Sequence, residues 1–198
     1  LPALTGLPFT FGSLNAVVKI NQEVANLWGR ILNAVPGSRL MLGNITTGTL
    51  QKTLIERFGR AGVDESRLIF QPRRNMPEYL ALHHQSDLGL DPFPYNGGTT
   101  TIHSLWMGVP VVSLEGKNMV SRCGSTMLSQ AGLAEFVVPD QDAYFRLAVD
   151  LAHDLPRLNA IRQGLRSHIR AGQADHQRIT RDLEAEFRTI WEKWCSGT

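Results

Sequence analysis

The chain has 198 residues, 42% of them hydrophobic and 19% charged, with a formal net charge of +2; this is enough to bury the core of one globular domain and excludes a disordered chain. Its interspersed charges offer no large positive field to grip a nucleic-acid backbone or an anionic membrane, so neither partner is expected. No run approaches the roughly 20 apolar residues of a membrane span, LPALTGLPFT lacks the basic start and long apolar run of a signal peptide, and Cys123 and Cys195 show no disulfide-framework or zinc-ligand spacing. The default expectation is a soluble cytoplasmic protein, and the start at Leu1, close to strand-like sequence, points to a piece of a larger one.

In chain order, FTFGS (Phe9–Ser13) reads as a strand, and Val24, Leu27, Trp28, Ile31, Leu32 and Val35 then recur at helical spacing up to the stop PGS. RLMLG (Arg39–Gly43) is the next strand, followed by a helix through Leu50, Leu54 and Phe58 that ends near Gly62. RLIFQ is a strand, Pro77–His84 a short helix and DLGLD a strand. A helix from about Thr100 to Met107 leads into the strand VPVVSL (Val109–Leu114), and one from about Arg122 to Ala131 into EFVV (Glu135–Val138). Asp140 then caps a helix that carries Phe145, Leu147 and Leu151.

Strands that alternate with helices imply parallel pairing and right-handed crossovers. The expected fold is a doubly wound, mostly parallel, Rossmann-like α/β sheet over residues 1–154, within a single lobe spanning 1–198. From Leu155 onward the chain is helical and Arg-rich. Leu183, Phe187, Ile190, Trp191 and Trp194 form an apolar stripe on the last helix. Its expected place is the domain's own flank, with a neighbouring domain as the alternative.

The stretch PYNGGTTTIHSLWMGVPVV (Pro94–Val112) carries the densest chemistry. A helix leaves its first amides unpaired and partly positive, which favours an anion there. Gly97 and Gly98 let backbone approach a ligand, and the hydroxyls of Thr99, Thr100 and Thr101 can donate to phosphate oxygens. A plain turn with a threonine N-cap would have the same composition. The stretch matches neither G-x-x-x-x-G-K-[ST] nor G-x-G-x-x-G, which disfavours a P-loop ATPase or a classical dehydrogenase. Lys19 follows the first strand and opens onto the same crevice of a doubly wound sheet, where it can neutralise charge on a phosphate leaving group. His103, one turn into the same helix, can reach a ribose or phosphate, and Tyr79 can set a ring or hydroxyl against a ligand. The adjacent His83 and His84 diverge by about 100° on a helix and cannot share a metal, so one is expected buried and the other at the surface.

FGSLNAVVKI, LWGRILNAVPGSRLML, ALHHQSDLGLDPFPYNGGTTTIHSLWMGVPVVSLEG and SRCGSTMLSQAGL together resemble, in order and over nearly the whole chain, the O-linked N-acetylglucosamine transferase family. The resemblance is greatest to bacterial members, in which tetratricopeptide repeats precede the catalytic region. It implies the carboxyl-terminal lobe of a two-lobed GT-B glycosyltransferase, the lobe that holds the nucleotide sugar. By that resemblance Lys19 is the catalytic lysine at the donor diphosphate, Thr99 and Thr100 are the paired threonines beside it, and Arg74 sits where backbone meets the uracil. The sequence departs from animal members at His103, where they carry an aspartate to the ribose, at Tyr79, where they carry a histidine, and at Ala16, where they carry a glutamine.

The implied reaction is an inverting transfer of a sugar, N-acetylglucosamine by the resemblance, from UDP to a Ser or Thr hydroxyl of a protein acceptor without a metal. Such a lobe works with an N-terminal lobe and its repeats and is expected to be inactive alone. Two alternatives remain open at this point: a nucleotide-sugar-binding module without transfer, and a lobe of another GT-B enzyme. Retaining GT-B enzymes commonly carry two glutamates eight residues apart at the donor site; here that spacing occurs at Glu184 and Glu192, in the final helix.

Overall fold

The computed structural model describes residues 1–171 and 175–197; residues 172–174 and 198, within the C-terminal helical segment expected from the sequence, lie outside the described residues. The short apolar runs become six parallel strands: β1 (Thr10–Ser13), β2 (Arg39–Leu42), β3 (Leu68–Phe70), β4 (Leu88–Leu90), β5 (Val111–Leu114) and β6 (Val137–Val138). Their order across the sheet is β3-β2-β1-β4-β5-β6. A parallel neighbour is reached only through a crossover. The crossovers are α1 (Gln22–Ala34), α2 (Gly48–Arg60), α3 (Met76–Leu82), α4 (Thr99–Trp106) and α5 (Cys123–Gln130), and α6 (Gln141–His153) follows β6. The doubly wound expectation holds.

Local chemistry sets the element ends. Asn21, Asn75 and Asp140 accept hydrogen bonds from the amides of Val24, Glu78 and Ala143, which start α1, α3 and α6. Pro110 has no N–H to give a ladder, so the strand expected from Val109 begins at Val111, although the Pro110 carbonyl still accepts from the Gly89 amide at 2.8 Å. The expected strand at Glu135 loses its first half to a 3₁₀ turn over Ala134–Phe136. α1 packs against α2 and α6, and α4 against α5 and α7 (Leu155–Ala171), around one core that includes Phe11, Trp28, Leu40, Leu88, Leu105, Phe136 and Tyr144. A smaller cluster of Leu14, Met41 and Leu82 supports Tyr79 at the edge of the crevice described below.

The chain runs outward from β1 through β2 and β3, then outward on the other side from β4 through β5 and β6. The reversal lies between β1 and β4, and the carboxyl ends of those strands border the crevice where such sheets bind ligands.

The C-terminal stripe corrects a sequence expectation. α7 buries Leu158, Leu165 and Ile169, but α8 (His176–Ser196) buries no residue. Its Leu183, Phe187, Ile190, Trp191 and Trp194 are between 52% and 78% exposed, so the stripe is not packed on the domain's own flank. Amphipathic spacing fixes which residues share a face but not what that face meets. An apolar surface of this kind drives association in water. Trp191→Ser with Trp194→Ser is therefore expected to reduce concentration-dependent self-association in sedimentation velocity and to leave the melting temperature unchanged.

Candidate functional site

After β1 the chain enters a 3₁₀ turn over Val17–Lys19, and after β4 it enters the loop 91–98 that leads into α4. These segments face each other at the β1/β4 reversal. The loop is tied down from several sides. Asp91, 0% exposed, accepts the Gly97 amide at 2.7 Å and the Ser113 hydroxyl at 2.6 Å. The buried Asn96 side chain donates to the carbonyls of Pro92 and Leu114 at 3.2 and 3.3 Å, and the Tyr144 hydroxyl donates to the Asp91 carbonyl at 3.1 Å.

This bracing leaves the head of α4 open. Gly98 is its N-cap with no side-chain cap, and the first helical bonds run from Thr101 and Ile102 to the Gly98 carbonyl at 3.0 and 3.2 Å. The amides of Gly98, Thr99 and Thr100 have no acceptor among the described residues. They form a concave row of donors at the positive end of a helix dipole. A Cβ built on Gly98 meets no atom within 4 Å, so the approach to these amides is unobstructed.

Lys19 reaches the row from the other wall. Its Nζ donates to the Asn96 carbonyl at 2.8 Å and to Asn15 Oδ1 at 3.4 Å, and lies 4.2 Å from the Tyr95 ring centroid. The Thr100 hydroxyl donates to the same Asn15 oxygen at 2.9 Å, so buried Asn15 links Lys19 to the head of α4. Burial lowers the Lys19 pKa from the ordinary lysine value, and the fields of Asp91 and Cys123 push it back up. Burial pushes the Asp91 carboxyl up to about 7, against the Ser113 and Gly97 hydrogen bonds and the field of Lys19.

Beside the seat lies a cavity of ≈ 240 Å³ lined by Thr99, Thr100 and His103 of α4, Met76 and Tyr79 of α3, Arg73 and Arg74 before α3, and Asn44 after β2. Tyr79 and His103 meet across it, hydroxyl to Nδ1 at 3.3 Å and ring centroids at 5.5 Å. Burial pushes the Tyr79 phenol up to about 12, so it stays a neutral donor and acceptor at physiological pH. Behind Tyr79, buried His83 is brought down to about 4 by burial, while His84 is exposed, as their adjacency required.

Of the sequence candidates, Arg74, Tyr79, Thr99, Thr100 and His103 line this one cavity, and Lys19 joins them through Asn15. Gly98, the N-cap of α4, precedes the cavity-lining Thr99 and does not itself line the cavity. Two candidates take a different place. The Gly97 amide is committed to Asp91 and is not a free donor. Thr101, 2% exposed, turns its hydroxyl inward, because it lies on the same buried face of α4 as Leu105. Both support the seat from below. Glu184 and Glu192 stand on α8 beside Arg181 and Arg188, and neither lines the crevice. Among the described residues no group of three or more His, Cys, Asp or Glu side chains is placed to hold a metal ion.

Sequence reasoning passed over Asn15, Asn44, Asp91, Asn96, Ser113 and Tyr144. Two signals were available: Asn15 and Asp91 each follow the carboxyl end of a strand at the reversal, and Asp91 ends an otherwise apolar run, where a carboxylate needs partners to be buried. Close packing here gives a test. A Cβ at Gly97 would stand 2.8 Å from Thr100 Oγ1 and 2.9 Å from Asp91 Oδ1, and closer still to Thr101 Oγ1. Gly97→Ala is expected to cost about 1–3 kcal/mol of stability in urea unfolding.

Comparison with known proteins gives one consistent answer. The glycosyl transferase family 41 domain matches residues 5–178. The chain is 34% identical over 200 residues to a probable UDP-N-acetylglucosamine–peptide N-acetylglucosaminyltransferase SPINDLY of Hordeum vulgare, covering 99% of this chain and 21% of that protein. It is 30% identical to the probable enzyme of the same activity called SEC in Arabidopsis thaliana, covering 97% of this chain and 20% of the relative. It superposes on a mutant O-GlcNAc transferase of Thermobaculum terrenum with a TM-score of 0.89 at 36% identity, over 96% of this chain and 37% of that one. Anabaena HepE in complex with UDP shares the fold at a TM-score of 0.64 and 15% identity, over 93% of this chain and 50% of that one. The chain thus spans about a fifth of the length of the curated relatives it matches.

Proposed function

Because this chain belongs to glycosyl transferase family 41, we propose that it forms the carboxyl-terminal, donor-binding lobe of an inverting protein O-glycosyltransferase that moves a sugar from UDP to a Ser or Thr hydroxyl. One observation carries the reading: a row of free amides heads α4 at the β1/β4 reversal, with Lys19 held across from it. Two phosphates match that geometry better than one. One rests on the Thr99 and Thr100 amides and hydroxyls, and the other lies toward Lys19.

The nucleoside then fills the cavity between α3 and α4. Backbone at Arg74 meets the uracil, and Tyr79 and His103 face the ribose. In the transfer, the acceptor hydroxyl oxygen bonds to the anomeric carbon as the bond to the diphosphate oxygen breaks, from opposite faces, so the configuration inverts. The charge appearing on UDP is met by the Lys19 ammonium, the threonine hydroxyls and the amides at the head of α4, without a metal. The donor sugar is N-acetylglucosamine, in keeping with the names of the relatives. The acceptor groove and the proton-accepting base belong to an N-terminal lobe that follows tetratricopeptide repeats in a bacterial, cytoplasmic protein, so this lobe alone is inactive. Residues 1–154 act as the nucleotide-sugar core and 155–198 as its C-terminal extension, which carries α7 and α8. Nucleic acid and membrane play no part.

Isothermal titration of the 198-residue chain with UDP, followed by a peptide-transfer assay on a protein containing both lobes, tests this. Binding followed by transfer is expected. Binding without transfer would reassign the chain as a nucleotide-binding module, and no binding would remove the site.

A further inference from the structure

The position of Asp91 is unusual for an anion-binding site: a carboxylate with no solvent exposure holds the Gly97 amide immediately beneath the row of amides that awaits a second anion. Its two oxygens bind different elements. Oδ1 takes the Gly97 amide at the end of the loop 91–98, and Oδ2 takes the Ser113 hydroxyl of β5. Those bonds set where Gly98 and the head of α4 stand relative to the sheet. Titratable groups approach it from three elements: Lys19 from the turn after β1, Cys123 at the start of α5, whose neighbour Gly124 lies against Oδ2, and Tyr144 from α6 through the Asp91 backbone carbonyl. None of these hydrogen-bonds the carboxylate itself; the Lys19 ammonium is occupied by Asn96 and Asn15. There is no room for relief by rearrangement, since a Cβ on Gly124 would already lie 3.0 Å from Asp91 Oδ2.

We propose that Asp91 is the positioning residue of the phosphate seat, fixing the Gly97–Gly98 backbone through its paired hydrogen bonds and admitting a diphosphate best when its own charge is neutralised by a proton. The proposal rests on the donor-site reading above. Neutral Asp91 keeps both contacts: Oδ1 still accepts from Gly97, and the protonated Oδ2 donates to Ser113 Oγ, which reverses its role. Ionised Asp91 keeps them too, but sets a buried negative charge next to an incoming dianion. In the free protein the neutral form predominates below about 7. A bound diphosphate adds like charge and favours the neutral form further. By linkage, affinity is greatest below that value and declines as pH rises through and above it.

Asp91→Asn copies the neutral form, with Oδ1 accepting and Nδ2 donating, whereas Asp91→Ala leaves the Gly97 amide and the Ser113 hydroxyl unpaired. The 198-residue chain is titrated with UDP-N-acetylglucosamine, a diphosphate diester whose own charge is constant over this range, at pH 6 and pH 8.5. Wild type is expected to lose about tenfold in affinity between the two pH values, the equivalent of one pKa unit between free and bound forms. D91N should show a flat profile, and D91A should bind weakly at both. Because the field of Asp91 raises the Lys19 pKa, D91N moves the Lys19 titration to lower pH and would steepen a lysine-driven loss, so a flatter D91N profile belongs to the proton on Asp91. Parallel wild-type and D91N profiles would overturn the part assigned to the proton, and D91A binding as tightly as D91N would overturn the positioning role; if D91A fails to fold, Ser113→Ala, which removes one of the two contacts, takes its place in that comparison. Absence of wild-type binding at both pH values would instead remove the donor-site reading, and this inference with it.

Discussion

Lys19→Ala is expected to weaken UDP binding by about 1.5–3 kcal/mol, roughly 10- to 150-fold in Kd, because a charge-assisted hydrogen bond to the diphosphate is lost. The geometry separates this effect from a folding defect. Lys19 is half-buried, its carbon stem is not part of the core, and its two hydrogen bonds end on the Asn96 carbonyl and Asn15 Oδ1, both of which hold other bonds or can be hydrated. Unfolding should therefore shift little while affinity falls. In a two-lobed protein the loss in transfer should exceed the loss in binding, since charge on the leaving UDP peaks in the transition state. Lys19→Arg keeps the charge but replaces a compact ammonium by a planar fork, so only partial recovery is expected. Calorimetric titration of the three proteins checks this. Equal affinities would take Lys19 out of the site.

Trp28→Ala carries the largest expected effect on the fold. Trp28 is among the largest fully buried side chains, on the face of α1 that packs into the main core. Truncation of a buried tryptophan costs about 3–5 kcal/mol in lost burial and residual cavity, a large share of the 5–15 kcal/mol that holds a typical domain. At this size the melting temperature should fall on the order of 10 °C. The consequence reaches the site, because α1 begins at the Asn21 cap, directly after the turn that carries Lys19. Differential scanning calorimetry of the unliganded chain is the check. A loss below 1 kcal/mol would mean that the core around α1 is not packed as described.

Strands and helices were legible because each rests on local chemistry: apolar runs for the strands, i, i+3, i+4 apolar spacing for α1 and α2, and Asp140 as a cap. Strand order was not, because nothing local in DLGLD states that β4 lies beside β1 rather than beside β3. The fate of α8 was likewise closed to pattern reading, since a stripe from Leu183 to Trp194 looks the same whether it is covered or bare. At the site, glycines before a helix were enough to propose an anion seat, and Thr100 with His103 share a face by their three-residue spacing. Helix phase decided the rest: Thr101, one residue on, falls with Leu105 on the buried face. The Gly97 amide could not be seen as occupied without knowing that Asp91 folds back beneath it. A single aspartate after a strand usually faces water, and only the tertiary packing of Ser113, Tyr144 and Gly124 around it shows otherwise.

A crystal of the chain soaked with UDP addresses the whole account at once. The diphosphate should appear within hydrogen-bond reach of the Thr99 and Thr100 amides or hydroxyls, with Lys19 Nζ turned from the Asn96 carbonyl toward a phosphate oxygen and the uridine between Tyr79 and Arg74. A nucleotide bound elsewhere, with the head of α4 still empty, would contradict it.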